Sequence, residues 1–392
     1  MSEDRTPVVV AARRTPIGNT GGALRAFTVD ELAAPVLRAV LDDAGLERVD
    51  GLGGVDDVVL GNVFGPGGNP ARVAALRAGL HNRWANGLGN GPCEAVPGVT
   101  IDRQCASGLA AITLAAAMIR AGEGEAYLAG GVESASTAPY RAWRPQSAAE
   151  TPRCYTRAPF APAEIGDPDM GPAADLVAAE AGITRERQDA FAVRSHARAV
   201  AAQRAGRFDG ELVPLGGVGR DERPRAGFTV ERLARFRPAF TPDGTATAAN
   251  SCGINDGAAA VLLVSEALRR RLGLPGLRLV ASATSAVDPN RLGLGAVPAM
   301  KAVLDRTPDV VEFNEAFAGQ ALACLDAVGI DEHTVSPDGG AIALGHPWGA
   351  SGAVLVVRLF ATLVRARGTG RGLAALSAGG GLGVATMWEV VQ

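Results

Sequence analysis

The sequence predicts an α/β protein made of two similar halves, with a long excursion inserted in the first. Three observations carry that expectation. β-Branched and apolar runs alternate with amphipathic stretches, the pattern of strands joined by crossover helices. The order of elements repeats with a period near half the chain. Between residues 134 and 250 the rhythm breaks into Pro, Arg and Gly clusters followed by helical stretches. The alternation leads to the expectation of a parallel sheet with helices on its faces.

Taken in order, Pro7–Ala12 is a β-branched run. Thr28-Val-Asp-Glu opens an amphipathic helix reaching Leu46, with Asp30 as the expected N-cap and Leu32, Val36, Leu37, Val40 and Leu41 at helical spacing. Asp56–Val63 reads as a strand, and Asn69-Pro-Ala-Arg opens a short helix ending at Gly79. After a Gly/Asn/Pro-rich loop (84–97), Val99–Ile101 is β-favouring and hands over through a short polar step to a Leu, Ala, Ile and Met run after Gly108. Glu125–Val132 is the next strand. Within the excursion, Ala173–Gly182 and Thr184–Gly206 read as helices, the second capped by Thr184. Gly257–Ser265 returns to a strand. From residue 277 the rhythm restarts. Strands are expected at Leu277–Ala283, Val310–Asn314, Leu373–Ser377 and Val384–Val391. Helices are expected at Val297–Leu304, Ala318–Val328 and Ala353–Arg367.

Composition narrows the function. A hydrophobic share of 47% with 20% charged residues fits an ordinary globular protein, and the net charge of -3 points to neither nucleic acid nor an anionic membrane as partner. The polar start, Met1-Ser-Glu-Asp-Arg, has no signal-peptide core, and Leu109–Ile119 is too short to span a bilayer. Five cysteines, scattered and odd in number, suit reduced thiols in a cytoplasmic protein. No CxxC or Cys/His cluster indicates a metal.

Four loops fall at the carboxyl ends of expected strands, where open α/β sheets place ligands. They hold Cys105, Asn314, His346, and the run Ser377-Ala-Gly379-Gly-Gly. Cys105 lies at a helix N-terminus, whose dipole and amide groups push a thiol towards thiolate. The other reading is a buried structural cysteine. Among the four histidines, His346 stands out because glycines and a proline frame it; a histidine beside a cysteine serves as its base. His81, His196 and His333 read as surface residues. Asn314 reads either as a strand-end cap or as a group that orients water or a substrate carbonyl. The glycines at 379–381 expose backbone N–H groups suited to an oxyanion hole, or make a simple turn.

These residues together resemble the thiolase family of acyl-CoA C-acyltransferases. The resemblance runs through Arg14-Thr-Pro-Ile-Gly, Asn69-Pro-Ala-Arg, Ala129-Gly-Gly-Val-Glu-Ser, Asn255-Asp-Gly-Ala-Ala-Ala, Asn314-Glu-Ala-Phe-Ala and Gly339-Gly-Ala-Ile-Ala-Leu-Gly-His-Pro-Trp-Gly-Ala-Ser-Gly. It implies two βαβαβαββ halves in a five-layer αβαβα core: residues 1–121 with 251–271, and residues 272–392. A loop domain at 122–250 would cover coenzyme A. It also implies a homodimer or homotetramer, a place in fatty acid metabolism, acyl-CoA thioesters as substrates, and no bound metal or redox cofactor. By motif, Cys105 would be the acyl-accepting nucleophile and His346 its base. Asn314 would hold a water at the second substrate, and the N–H groups of Cys105 and Gly379 would form an oxyanion hole. Arg223 and Arg225 are candidates for the nucleotide phosphates.

The chain departs from the family pattern at two places. The family's second cysteine, in C-x-G-G-G, is Ser377 here, and a serine hydroxyl is a far weaker acid than a thiol. Cys252 stands where the family usually has serine at the substrate, either as a stand-in for that cysteine or as a simple swap. Asp169-Met170-Gly171 replaces His-Met-Gly at the pocket. Three readings follow: a thiolase-type acyltransferase with altered proton transfer, a decarboxylative condensing enzyme using a malonyl-type donor, or a weak coenzyme A-binding subunit.

Overall fold

The computed structural model describes residues 3–46, 54–80 and 96–392; most of the expected loop at 84–97, and His81, lie outside them. The first half runs β1 (Pro7–Arg14), β2 (Gly18–Asn19), α1 (Val29–Ala44), β3 (Asp57–Gly61), α2 (Pro70–Arg77), β4 (Gly98–Ile101), α3 (Ser107–Ala121) and β5 (Ala126–Ser134). The excursion holds the hairpin β6 (Arg141–Trp143) and β7 (Arg153–Tyr155), then α4 (Met170–Glu180), α5 (Arg185–Arg204) and α6 (Val230–Leu233). β8 (Asn255–Ser265) and α7 (Glu266–Leu272) lead to β9 (Gly276–Ala286), α8 (Ala296–Val303), β10 (Val310–Phe313), α9 (Ala318–Val328), α10 (Ala341–Leu344), α11 (Trp348–Leu359), β11 (Arg371–Ala378) and β12 (Leu382–Val391).

The strands lie in the order β4-β3-β5-β8-β1 and then β9-β12-β11-β10; β1 and β9 join the two halves through Val8 opposite Arg278 and Val9 opposite Leu277. The halves repeat each other: β1, β3, β5 and β8 correspond in place to β9, β10, β11 and β12. The counterpart of β4 has shrunk to one parallel bridge between Val311 and Val335. The sheet is mixed, not parallel. Crossover helices make β4-β3-β5 and β10-β11 parallel, whereas β8 and β12 run antiparallel to their neighbours. β12 cannot be parallel to β11, because only the Gly379–Gly381 turn separates them.

Strand alternation sorts the apolar side chains into layers. Val8, Val58, Leu60, Leu128 and Leu262 face α1 on one outer surface, and Val311, Phe313, Leu373 and Met387 face α8 and α9 on the other. Val9, Val59, Ala129, Leu376, Val384 and Trp388 face inward onto α3 and α11. The result is five layers, αβαβα. The segments Gln104–Ala121 and Trp348–Arg367 are long and apolar enough to cross a membrane by length and composition, but here they form the protein-buried middle layer.

Three local expectations need correction. Thr28, not Asp30, caps α1: its N–H reaches the Glu31 carboxylate at 2.9 Å, while Asp30 pairs with Arg77. α11 begins at Trp348, directly after Pro347, and its last turns widen into π-helix up to Arg367. β5 is a wholly buried strand of the central sheet, so the excursion starts after Ser134 and not at residue 122. Arg14 ties the excursion to the core, donating from Nε to Glu211 at 2.7 Å and from Nη1 to Asp221 at 2.6 Å.

Glycines let the middle layer close. A methyl on Gly131 of β5 would overlap the Gly349 carbonyl of α11. One on Gly61 would overlap the Ser107 backbone, and one on Gly352 the Leu109 backbone. Backbone cannot move aside as a flexible side chain can. Gly131→Ala should therefore destabilise the fold by about 1–3 kcal/mol, the usual range for overpacking. Urea unfolding followed by circular dichroism reads this as a lowered midpoint with unchanged slope; an unmoved midpoint would contradict the contact.

Candidate active site

Cys105 stands in the turn between β4 and α3. Asp102 accepts the Gln104 N–H at 2.7 Å, while the Ser107 hydroxyl accepts from the Arg103 N–H at 2.8 Å and donates to the Gln104 carbonyl at 2.6 Å. These bonds hold Gln104 at φ 51°, a left-handed conformation that costs a non-glycine residue strain. The helix N-terminus does not leave the resting thiol acidic. Burial, with Cys252 and Glu133 nearby, pushes it up to about 12, against the N–H groups of Cys105 and Gly379 directed at the sulfur. Ionisation at neutral pH needs a partner that takes the proton.

His346 occupies the matching place in the second half. It lies three residues before Gly349, as Cys105 lies three before Gly108, and Gly108 packs on the Gly349 carbonyl. The starts of α3 and α11 are thereby side by side. His346 is 2% exposed, with its backbone N–H on Asn255 Oδ1 at 2.9 Å and its Nδ1 2.6 Å from Ser351 Oγ. Ser351 takes Nδ1, which leaves Nε2 for a proton from outside the turn. Burial lowers the imidazole to about 4, so the ring is neutral and able to accept at ordinary pH. Glu133 fixes the helix start behind it, accepting N–H bonds from Phe64 at 3.0 Å and Gly349 at 3.1 Å.

The 250–255 segment ties the loop after Asn314 to the His346 turn. Asn314 donates its N–H to Ala375 of β11 at 3.1 Å, and its Nδ2 is buried without a partner among the described residues. The 250–255 segment stitches two loops together: Ser251 bridges to Phe317, Cys252 N–H bonds Ala316 at 2.9 Å, and Ile254 bridges to His346. Cys252 is half-buried, with burial pushing its thiol up to about 12. Phe160 of the excursion covers Gly379, where an added methyl would meet its ring. Met170 lies with Ala316, Phe317 and Ser377 around a small cavity, while Asp169 is tied to Arg157 at 3.0 Å.

Several expected residues behave differently. The Ser377 hydroxyl donates to the Gly293 carbonyl at 2.7 Å and accepts the Ala296 N–H at 2.9 Å, which fixes its proton on a carbonyl. Arg223 is engaged internally along one edge, its Nε donating to Ile342 at 2.8 Å and its Nη2 to Ser251 at 2.9 Å. Arg225 is exposed and lines a separate surface pocket with Arg220. His196 is buried, not a surface residue: its Nδ1 accepts the Arg225 N–H at 3.2 Å, and burial beside Arg223 and Arg225 lowers it to about 3. His333 is exposed. Ser351 and Glu133 were missed as site residues, although both lie inside conspicuous glycine-containing motifs. Their signal was spacing: Ser351 follows His346 by five residues.

Two family models match the chain, the thiolase N-terminal domain over residues 7–267 and the thiolase C-terminal domain over residues 275–390. It is 43% identical to an acetyl-CoA acetyltransferase of Pseudomonas aeruginosa, covering 96% of this chain and 98% of that one. It is 42% identical to a putative acetyl-CoA C-acetyltransferase of Bacillus subtilis, covering 98% and 99%. The crystal structure of the Bacillus anthracis acetyl-CoA acetyltransferase matches with a TM-score of 0.87 at 37% identity, covering 98% of this chain and 99% of that one.

The lowered imidazole sets a pH signature. His346 stays neutral above about pH 4, so acylation of Cys105 by p-nitrophenyl acetate should show no loss of rate centred on 6.5, the ordinary value for histidine. His346→Ala should slow it on the order of a hundredfold. A stopped-flow pH profile with its own step centred on 6.5, or an unaffected variant, would remove His346 as the base.

Proposed function

The chain belongs to the thiolase family of acyltransferases, and on that premise we propose that it is an acyl-CoA C-acyltransferase working through an acyl-enzyme on Cys105. The single observation that carries this reading is the Gly379 N–H directed at the Cys105 sulfur; the Gly108–Gly349 contact between the helix starts that follow Cys105 and His346 supports His346 as its base. In the first half-reaction His346 Nε2 takes the thiol proton and the sulfur attacks the thioester carbonyl. The N–H groups of Cys105 and Gly379 hold the developing oxyanion. Coenzyme A leaves with a proton, and ping-pong kinetics follow.

The second half-reaction joins the acyl group to the α-carbon of another acyl-CoA, or runs in reverse as thiolysis. It needs a group that moves the α-proton. Ser377, hydrogen-bonded through both oxygen and proton, is a poor candidate, and Asn314 and His346 are left to steady the enolate oxygen. The enzyme is therefore a thiolase with an intact acylation half and a slow proton-transfer half. The fixed Ser377 hydroxyl also favours a second reading, in which a malonyl-type donor forms its enolate by losing CO₂. We place the protein in the cytoplasm as a homodimer or homotetramer, with Arg225 rather than Arg223 near the coenzyme A phosphates. The scattered cysteines, odd in number, support the reducing compartment.

Ser377→Cys should raise thiolysis of acetoacetyl-CoA at least about tenfold, since a thiol is matched to proton transfer near neutrality. Acetylation of Cys105 by acetyl-CoA, followed by intact mass, should stay unchanged. Equal thiolysis in both proteins would contradict the role given to position 377. Condensation product from acetyl-CoA plus malonyl-CoA, with none from acetyl-CoA alone, would select the decarboxylative reading.

A further inference from the structure

The mechanism leaves one buried acid without a task. Glu312 of β10 is 2% exposed, and its Oε1 has no hydrogen-bond partner among the described residues. It lines an internal cavity of about 20 Å³ together with Asn314, Ser351 and Arg358, and every residue of the wall is buried. Asn314 Nδ2 and Arg358 Nε are likewise without partners. A water molecule needs roughly 10–15 Å³ and two to four polar partners. The cavity supplies both. Ser351 connects it to the active site, because its Oγ is the group 2.6 Å from His346 Nδ1.

We propose that one water in this cavity joins Glu312 to Ser351, so that Glu312 ends a proton path running behind His346. Glu312 touches no substrate and is a positioning residue. In the tautomer that leaves Nε2 free, Nδ1–H donates to Ser351. As Nε2 takes the Cys105 proton, Nδ1 gives its own to Ser351 Oγ, the Ser351 hydroxyl gives its proton to the water, and the water gives one to the Glu312 carboxylate. One S–H bond is broken and one carboxyl O–H bond is formed; the imidazole passes from its Nδ1–H to its Nε2–H tautomer, and the hydroxyl and water are unchanged overall. A proton halted on His346 would leave thiolate, imidazolium and carboxylate buried together. Carried to Glu312, it leaves a single anion as before, which avoids the cost of two extra buried charges.

The surroundings suit an acid that gains and loses a proton. Arg358 pairs with Glu211 and Asp338, Arg14 with Glu211 and Asp221, and Arg207 with Asp338. These three cations and three anions balance without Glu312. Burial, with Asp338, Glu211 and Glu315 against Arg358, pushes Glu312 up to about 8. The path accepts a proton only when Glu312 is ionised, so acylation should rise as pH climbs through about 8.

This inference rests on Cys105 as the nucleophile, and its test uses p-nitrophenyl acetate, an activated ester that does not depend on a coenzyme A site. The burst is measured between pH 5 and pH 10 and in H₂O/D₂O mixtures for the wild type, Glu312→Gln, Glu312→Asp and Ser351→Ala. The wild type should show a rise centred near 8 and a curved proton inventory. Glu312→Gln and Ser351→Ala should slow the burst about tenfold or more, lose the rise and give a linear inventory; Glu312→Asp should recover part of the rise. Ser351→Ala leaves the charge cluster intact and decides the matter if Glu312→Gln does not fold. Retention of the rise and the curvature in Ser351→Ala would overturn the path. Failure of acetyl-CoA to acetylate Cys105, alongside a normal ester burst, would instead overturn the acyl-CoA reading alone.

Discussion

The structure depends on a backbone-to-backbone contact at its centre. α3 and α11 start side by side because Gly108 and Gly352 let their main chains touch, and Gly61 and Gly131 let both helices press onto the strands. No side chain separates them, so the distance between the two helix starts is set by main-chain radii. Cys105 and His346 stand at those starts, each three residues ahead of a contacting glycine. Glu133 adds a second restraint by accepting the Gly349 N–H while also binding the turn after β3. The duplicated halves thus bring Cys105 and His346, from equivalent places, to adjoining helix starts.

Much of this was legible in the sequence, for physical reasons. Strands and helices of the core follow period-2 and period-3.6 patterning because each has one or two buried faces, and Ala318–Val328 is a helix over the expected residues. Cys105, Asn314 and Gly379 follow strands as expected, whereas His346 lies between α10 and α11, because the strand expected before it is reduced to the Val311–Val335 bridge. What stayed hidden depends on contacts distant in sequence. The mixed strand directions arise from where β8 and β12 re-enter the sheet. Arg223 looks like a surface arginine until the carbonyls of Ile342 and Ser251 close on it, and His196 looks exposed until Phe228 and the Arg225 backbone cover it. Nor does helix-terminus position show how strongly burial opposes a thiolate at Cys105.

Ser377 joins these two scales. Its replacement of the family cysteine is visible in the sequence, but its consequence depends on the Gly293 carbonyl and the Ala296 N–H that hold the hydroxyl. Cys324 lies behind it, 3.9 Å from Ser377 Oγ and wholly buried, its own sulfur directed at the same Gly293 carbonyl. Both groups direct their hydrogens at that one carbonyl. Under the proposed chemistry, acyl transfer to Cys105 and abstraction of the α-proton become separable steps.

Isotope exchange measures both steps in one sample. Acetyl-CoA is incubated with the protein and isotopically labelled coenzyme A in D₂O. Label passing between coenzyme A and acetyl-CoA reports acyl transfer, and deuterium entering the acetyl group reports α-proton abstraction. The account predicts rapid label exchange with far slower deuterium uptake. Deuterium uptake as fast as label exchange, or no label exchange at all, would contradict it.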